Sequence, residues 1–267
     1  AKFYQKRYIS LFNRVDLANG LALGTSLNYE KRNDLDNNTS YHFFGGRPAS
    51  NRPHGQTGMM PDHKALTAGI TLEYTPQYYY NVWRGRKFYQ KSDYPTISLS
   101  YSRAFGGKNN SSFDKIEASV TQDIRLNIFN KLSYELNAGL FTSSDRTYLP
   151  DFKHFMTNEL FMTGKSLHNS FSLLDNYTYA TNDKWLQAHV TYTSNYLLLK
   201  QIPFMQGYLF NESLHIRTLW LPHLNHSEAG YSIGFGDLGR IGVFVGFRGL
   251  EYESTGFTIS IPLLNFR

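Results

Sequence analysis

Alternation of apolar and polar residues with a period of two recurs along most of this chain, and few folds accommodate it. From Leu21, one side reads Leu21, Leu23, Thr25, Leu27, Tyr29 and the other Ala22, Gly24, Ser26, Asn28, Glu30. The same two-sided pattern returns at Leu66–Tyr74, from Ile97 to Tyr101, from Ile116 to Ile128 and at Leu132–Leu140. It appears again from Leu186 to Tyr192, Ala229 to Phe235, Ile241 to Phe247 and Phe257 to Leu263. A period of two places successive side chains on opposite faces of a strand. Several runs exceed the about 5–6 residues of an average strand and reach the roughly 9–11 needed to cross a bilayer at a tilt. The expectation is an all-β fold, an antiparallel transmembrane β-barrel of about 11–12 strands in this chain, possibly the C-terminal part of a larger barrel.

Composition agrees with one greasy and one wet face. Aromatic residues form 16% of the 267 residues and charged residues only 18%, yet the mean hydropathy is −0.44. A helical membrane protein needs runs of roughly 20 apolar residues, and the sequence has none. A soluble β-sandwich would use shorter strands buried face to face.

The apolar faces often end in an aromatic residue, as at Tyr29, Tyr74, Tyr101 and Tyr192. With the dense run Tyr78-Tyr79-Tyr80-Asn81-Val82-Trp83, these residues are expected at the membrane interface, where amphipathic rings sit at headgroup level. The run could also stack sugars or bases, but an interface girdle accounts for it more simply. The connections Asn33–His63 and Ser143–Lys184 are long, Asp237-Leu238-Gly239 is a tight turn, and Gly230, Gly234, Gly242 and Gly246 are expected to let a curved sheet bend or to admit packed loops.

Chemistry is sparse. The chain has no cysteine, which removes thiol catalysis, cysteine zinc sites and disulfides. The net charge of +6 comes without a Lys/Arg block, so nucleic acid is not an expected partner, and rim cations are expected to meet lipid phosphates. Asp62–His63 and Asp151/His154 are the nearest approach to a hydrolytic pair, and both read as ordinary loop polarity. His189 falls on the polar side of its strand. His223 and His226 have no clear third ligand. No phosphate loop or dinucleotide fingerprint occurs. No catalytic, cofactor or metal residue is assigned.

The C-terminal half carries a resemblance. Leu149-Pro150-Asp151-Phe152-Lys153-His154-Phe155, Phe171-Ser172-Leu173-Leu174-Asp175-Asn176-Tyr177 and Asn182-Asp183-Lys184-Trp185 are three of its segments. Leu197-Leu198-Leu199-Lys200-Gln201-Ile202-Pro203-Phe204 and Glu228-Ala229-Gly230-Tyr231-Ser232-Ile233-Gly234 extend it. Together they resemble the barrel of a family of Bacteroidota outer-membrane proteins that usually carry an N-terminal carboxypeptidase-regulatory-like domain. That barrel is similar to the BamA-like surface-antigen superfamily. The resemblance implies that residues 1–267 are the C-terminal, barrel portion of such a protein, without the N-terminal domain. It also implies a place in the cell outer membrane, contact with outer-membrane lipid and lipopolysaccharide, and a non-enzymatic role in envelope biogenesis or translocation, or as an accessory subunit of an outer-membrane complex. The sequence departs from the superfamily at its lumenal loop signature, an apolar residue followed by Arg-Gly-aromatic: Trp83-Arg84-Gly85 and Phe247-Arg248-Gly249 lack the final aromatic. The alternative readings are a passive, porin-like solute channel and, third, a membrane-embedded hydrolase.

Overall fold

The computed structural model describes residues 4–35, 61–90, 92–158, 162–163, 167, 169–175, 177–207 and 210–261. Most of the Asn33–His63 connection, parts of the Ser143–Lys184 connection and Leu263 lie outside them. No described helix is long and apolar enough to cross a membrane.

Eleven long strands form one antiparallel sheet: β1 (Tyr4–Ala18), β2 (Leu21–Asp34), β3 (His63–Tyr74), β6 (Thr96–Ala104), β7 (Ser112–Arg125), β8 (Asn130–Arg146), β10 (Lys184–Ser194), β11 (Asn211–Trp220), β12 (Asn225–Gly234), β13 (Arg240–Arg248) and β14 (Glu251–Ser260). Each pairs with the next in this order. A separate hairpin, β4 (Tyr80–Trp83) and β5 (Arg86–Tyr89), interrupts the β3–β6 connection. A two-residue strand, β9 (Met162–Thr163), adds parallel to β14 at Ile259 and Ser260.

The sheet is antiparallel and all-β as expected, but it does not close among the described residues. Strand β1 is hydrogen-bonded to β2 alone, and β14 to β13 and the short β9. Both faces of β1 are almost wholly exposed. The alternation did not mark β1, because Lys6, Arg7, Asn13 and Arg14 mix charge and polarity into both faces. The run from Ile116 also stops early: β7 ends at Arg125, because the Asn127 carboxamide oxygen accepts the backbone N–H groups of Phe129 and Asn130, 2.9 Å each, and turns the chain.

Registers turn the sequence pattern into two unlike faces. One row runs Ile124, Leu132, Tyr192, Leu214, Tyr231, Val243, Phe257 across β7 to β14. This face is apolar and open: Ile216 is 64% exposed, Val243 51% and Phe257 57%. The other face carries the row Thr121, Glu135, His189, Arg217, Glu228. Here the charged groups are the buried ones, with Arg217 and Glu228 each 1% exposed. The sheet thus buries charged side chains on one face and leaves large apolar ones open on the other, an arrangement unlike that of an ordinary domain.

Two rims follow from the strand directions. One carries the β1–β2, β7–β8 and β12–β13 turns and the β4–β5 hairpin; the other carries the connections after β2, β6, β8, β11 and β13. The hairpin turns through Arg84 and Gly85, both at positive φ (49° and 72°), the geometry that matches the strand twist. It is tied to β1 by Tyr89, whose hydroxyl donates to Asp16 Oδ2 at 2.7 Å; this bond pushes the phenol up to about 12.

Candidate functional site

The polar face is covered where it is most charged. The connection between β8 and β10 folds back onto the polar face and is fastened to the sheet at three places, on β11–β12, on β2 with the β6–β7 connection, and on β7. It is braced internally by pairing of Lys153 with Thr181 and of Thr157 with Phe171.

The first fastening centres on Glu228. Its carboxylate accepts the backbone N–H of Ser172 (2.9 Å to Oε2) and of Leu173 (2.8 Å to Oε1), and the Arg217 guanidinium donates to it at 3.0 Å. Arg217 also donates to Ser172 Oγ at 2.9 Å and to the Leu167 carbonyl, and its guanidinium lies over the Phe244 ring, 4.4 Å from the centroid. His226 bridges outward, with Nε2 3.0 Å from Glu228 and Nδ1 3.1 Å from Glu253, which pairs with Arg248. A buried charge is tolerated only when paired and hydrogen-bonded. Here the loop's own N–H groups complete the set, so the network and the loop depend on each other.

The second fastening is Asp151, buried at the short helix η1 (Leu149–Asp151). It accepts from Arg32 (2.5 Å), Ser111 (2.7 Å) and the backbone N–H of Tyr148 (3.0 Å), joining β2 and the β6–β7 connection to the loop. The third is an ion pair of Lys153 with Glu117, which also pairs with Lys115 at 2.8 Å. Between them lies an apolar cluster of Phe155, Phe171, Leu174, Tyr179, Trp185, Leu219 and Leu221.

Glycines make the room. A Cβ at Gly230 would lie 2.1 Å from a Phe244 ring carbon, and one at Gly139 2.2 Å from the Trp185 ring. Beside Gly246 and Gly256 sits Leu173 of the loop. The expectation that sheet glycines admit packed loops is met at Gly246.

The candidate hydrolytic pairs come apart. Asp62 accepts the backbone N–H of Asp34 at 3.2 Å, while His63 contacts the Pro61 carbonyl at 2.9 Å and stacks on Tyr148 at 3.8 Å. His154 contacts the Leu149 carbonyl at 2.8 Å, and Asp151 is engaged as above. His223 is exposed while His226 is buried in the network, and no group of His, Asp and Glu among the described residues could hold a metal ion. His189 does lie on the polar face. The sequence does not mark the fastening role of Glu228 and Arg217: Glu228 falls on the polar side of its run like Gly230 and Ser232, and no alternation marks the segment of Arg217.

The aromatic residues separate by rim. Tyr29 and Tyr101 stand on the apolar face toward the rim of the β2 and β6 loops; Tyr74 and Tyr192 stand toward the opposite rim. Tyr79, Tyr80 and Trp83 are exposed on or beside the β4–β5 hairpin, beyond the end of a long strand, and Tyr78 stacks on Tyr89 at 4.4 Å.

A comparison with curated proteins finds no match. Residues 1–233 match the C-terminal domain of a family of unknown function, DUF5686, so the eleven-stranded sheet and its fastened loop describe a member of that family, to which this chain belongs.

Proposed function

We propose that the chain is a β-barrel portion of an outer-membrane protein, non-enzymatic, whose polar face is stoppered by the β8–β10 connection and which serves envelope biogenesis or translocation, or an outer-membrane complex as an accessory subunit. The observation that carries this reading is the inverted polarity: an exposed apolar face across β2 to β14 and buried charge on the other. Lipid is the solvent in which such a face is stable. The long strands, of nine to 17 residues, suit a tilted span. Cation–aromatic pairs at the rims, Arg84 over Trp83 at 4.6 Å and Lys184 over Trp220 at 5.8 Å, suit contact with lipid headgroups and lipopolysaccharide. The resemblance to Bacteroidota barrels of the BamA-like superfamily favours the same reading, and the unclosed β1 edge suits a barrel completed by further strands. Asp62, His63 and His154 are each engaged with backbone groups rather than with one another, which favours a non-enzymatic role.

Reconstitution tests it. The protein should partition into liposomes, resist extraction at high pH and show no steady conductance in planar bilayers. Steady conductance would support the porin-like alternative, and failure to enter liposomes would sink the membrane reading.

A further inference from the structure

Beside the fastened loop, the polar face has an open cavity of about 430 Å³, bordered by β7, β8, β10 and the connection that carries the hairpin. This lies within the roughly 300–1,000 Å³ of small-molecule sites. Two of its lining groups are unspent. The Glu135 side chain, half-buried, makes no hydrogen bond or ion pair among the described residues and feels only the more distant charge of Lys153. His189, directly opposite it across the β8–β10 pair, is 2% exposed, and its Nδ1 has no hydrogen-bond partner there. Asp123 and Lys131 supply a 3.0 Å ion pair, and Tyr78 and Tyr94 stand on the wall formed by the hairpin-bearing connection.

We propose that this cavity is a binding site for a neutral, hydroxyl-rich ligand, a saccharide of one or two rings. Unpaired buried polar groups are costly, and a site that presents them is completed by a ligand that satisfies them. The carboxylate of Glu135 accepts only. The Gln187 amide nitrogen donates to Nε2 of His189, which places the ring proton on Nδ1 and makes Nδ1 the donor. A hydroxyl both donates and accepts, so a polyol satisfies the carboxylate and the Nδ1–H donor together. An ammonium has no acceptor and a carboxylate ligand would face Glu135 as a like charge. The two tyrosine rings add faces against which a sugar ring packs, and the Asp123–Lys131 pair offers an acceptor and a donor without net charge. The site lies on the polar face and does not rest on the membrane reading.

The test uses the full chain in a detergent without a sugar headgroup, such as a dimethylamine oxide. Glucose, galactose, maltose and lactose are titrated by saturation-transfer NMR, with choline as the competing chemistry. At least one sugar should bind saturably, and both Glu135→Leu and Tyr94→Ala should weaken it by about tenfold or more. Lys153, the charge nearest in influence to Glu135, keeps its ion pair with Glu117 in Glu135→Leu, and Tyr94 is 43% exposed, so both variants should melt as the parent does. Added lipopolysaccharide separates the sources: displacement of the bound sugar points to a glycolipid glycan, and no displacement to a free saccharide. The proposal is overturned if no sugar binds, if binding survives both substitutions, or if choline binds in preference. Insertion and conductance are read separately, so failure here leaves the barrel reading standing.

Discussion

Glu228 shows how much one side chain organises. It gathers two loop amides, a guanidinium and an imidazole at one carboxylate. Removing one partner of a buried pair leaves the other charge uncompensated, at about 3–5 kcal/mol. Glu228→Ala should therefore lower stability by about that amount, read as a shift in denaturant midpoint, and should open the segment around Ser172 to protease. Glu228→Ala combined with Arg217→Leu should cost less than the two single changes added together; strict additivity in a double-mutant cycle would deny the coupling. Gly230→Val meets a different obstacle. The Phe244 ring occupies the space of the new Cβ, and overpacking of this kind costs about 1–3 kcal/mol, measurable in the same unfolding assay. Neither role was legible in the sequence. Glu228 sits on the side that alternation marks as polar and Arg217 in a segment that no alternation marks, and alternation says nothing about which polar groups a distant loop will cover.

At the scale of strands, the sequence was readable wherever one face was uniformly apolar. Strands β2, β3, β6, β8, β10 and β13 lie where the alternation placed them. Strand β1 was hidden because its charge is spread over both faces, and β11 because Leu219 turns an apolar side chain into the buried cluster, where the alternation requires a polar one. Such exceptions mark tertiary contact, which local periodicity does not encode. The hairpin likewise reads as the end of a long strand until the break after Tyr74, where Gln77 takes a positive φ of 45°, separates it from β3. One consequence is measurable. Half of the β1 amides point away from β2 at an unpaired edge, so in the isolated chain they should exchange with deuterium fast, while β11 and β12 amides, flanked on both sides, should be protected. Uniform protection across β1 would show that another strand covers it. At the hairpin, Asp16→Asn should return the Tyr89 phenol from about 12 toward the ordinary tyrosine value, visible as one tyrosinate forming earlier in an alkaline absorbance titration.

For the whole molecule, the contrast between faces makes the sharpest prediction. Ile216 stands in the middle of β11 on the apolar face. In lipid, Ile216→Arg should destabilise the folded protein by about 2–4 kcal/mol, as arginine does near a bilayer midplane, whereas Ser100→Arg on the polar face should cost little. Folding into vesicles under a urea gradient compares them, and equal effects would count against a lipid-facing surface. The fastened loop adds a constraint in time. Ser172 and Leu173 are held by a carboxylate 56 and 55 residues later in the chain, which is itself held by Arg217 from the neighbouring strand. The loop's clasp does not exist until β11 and β12 have paired, and closing so long a span is entropically slow. A segment made early must wait for strands made late, so seating of the loop comes near the end of folding, and the polar face stays uncovered until the C-terminal strands are in place.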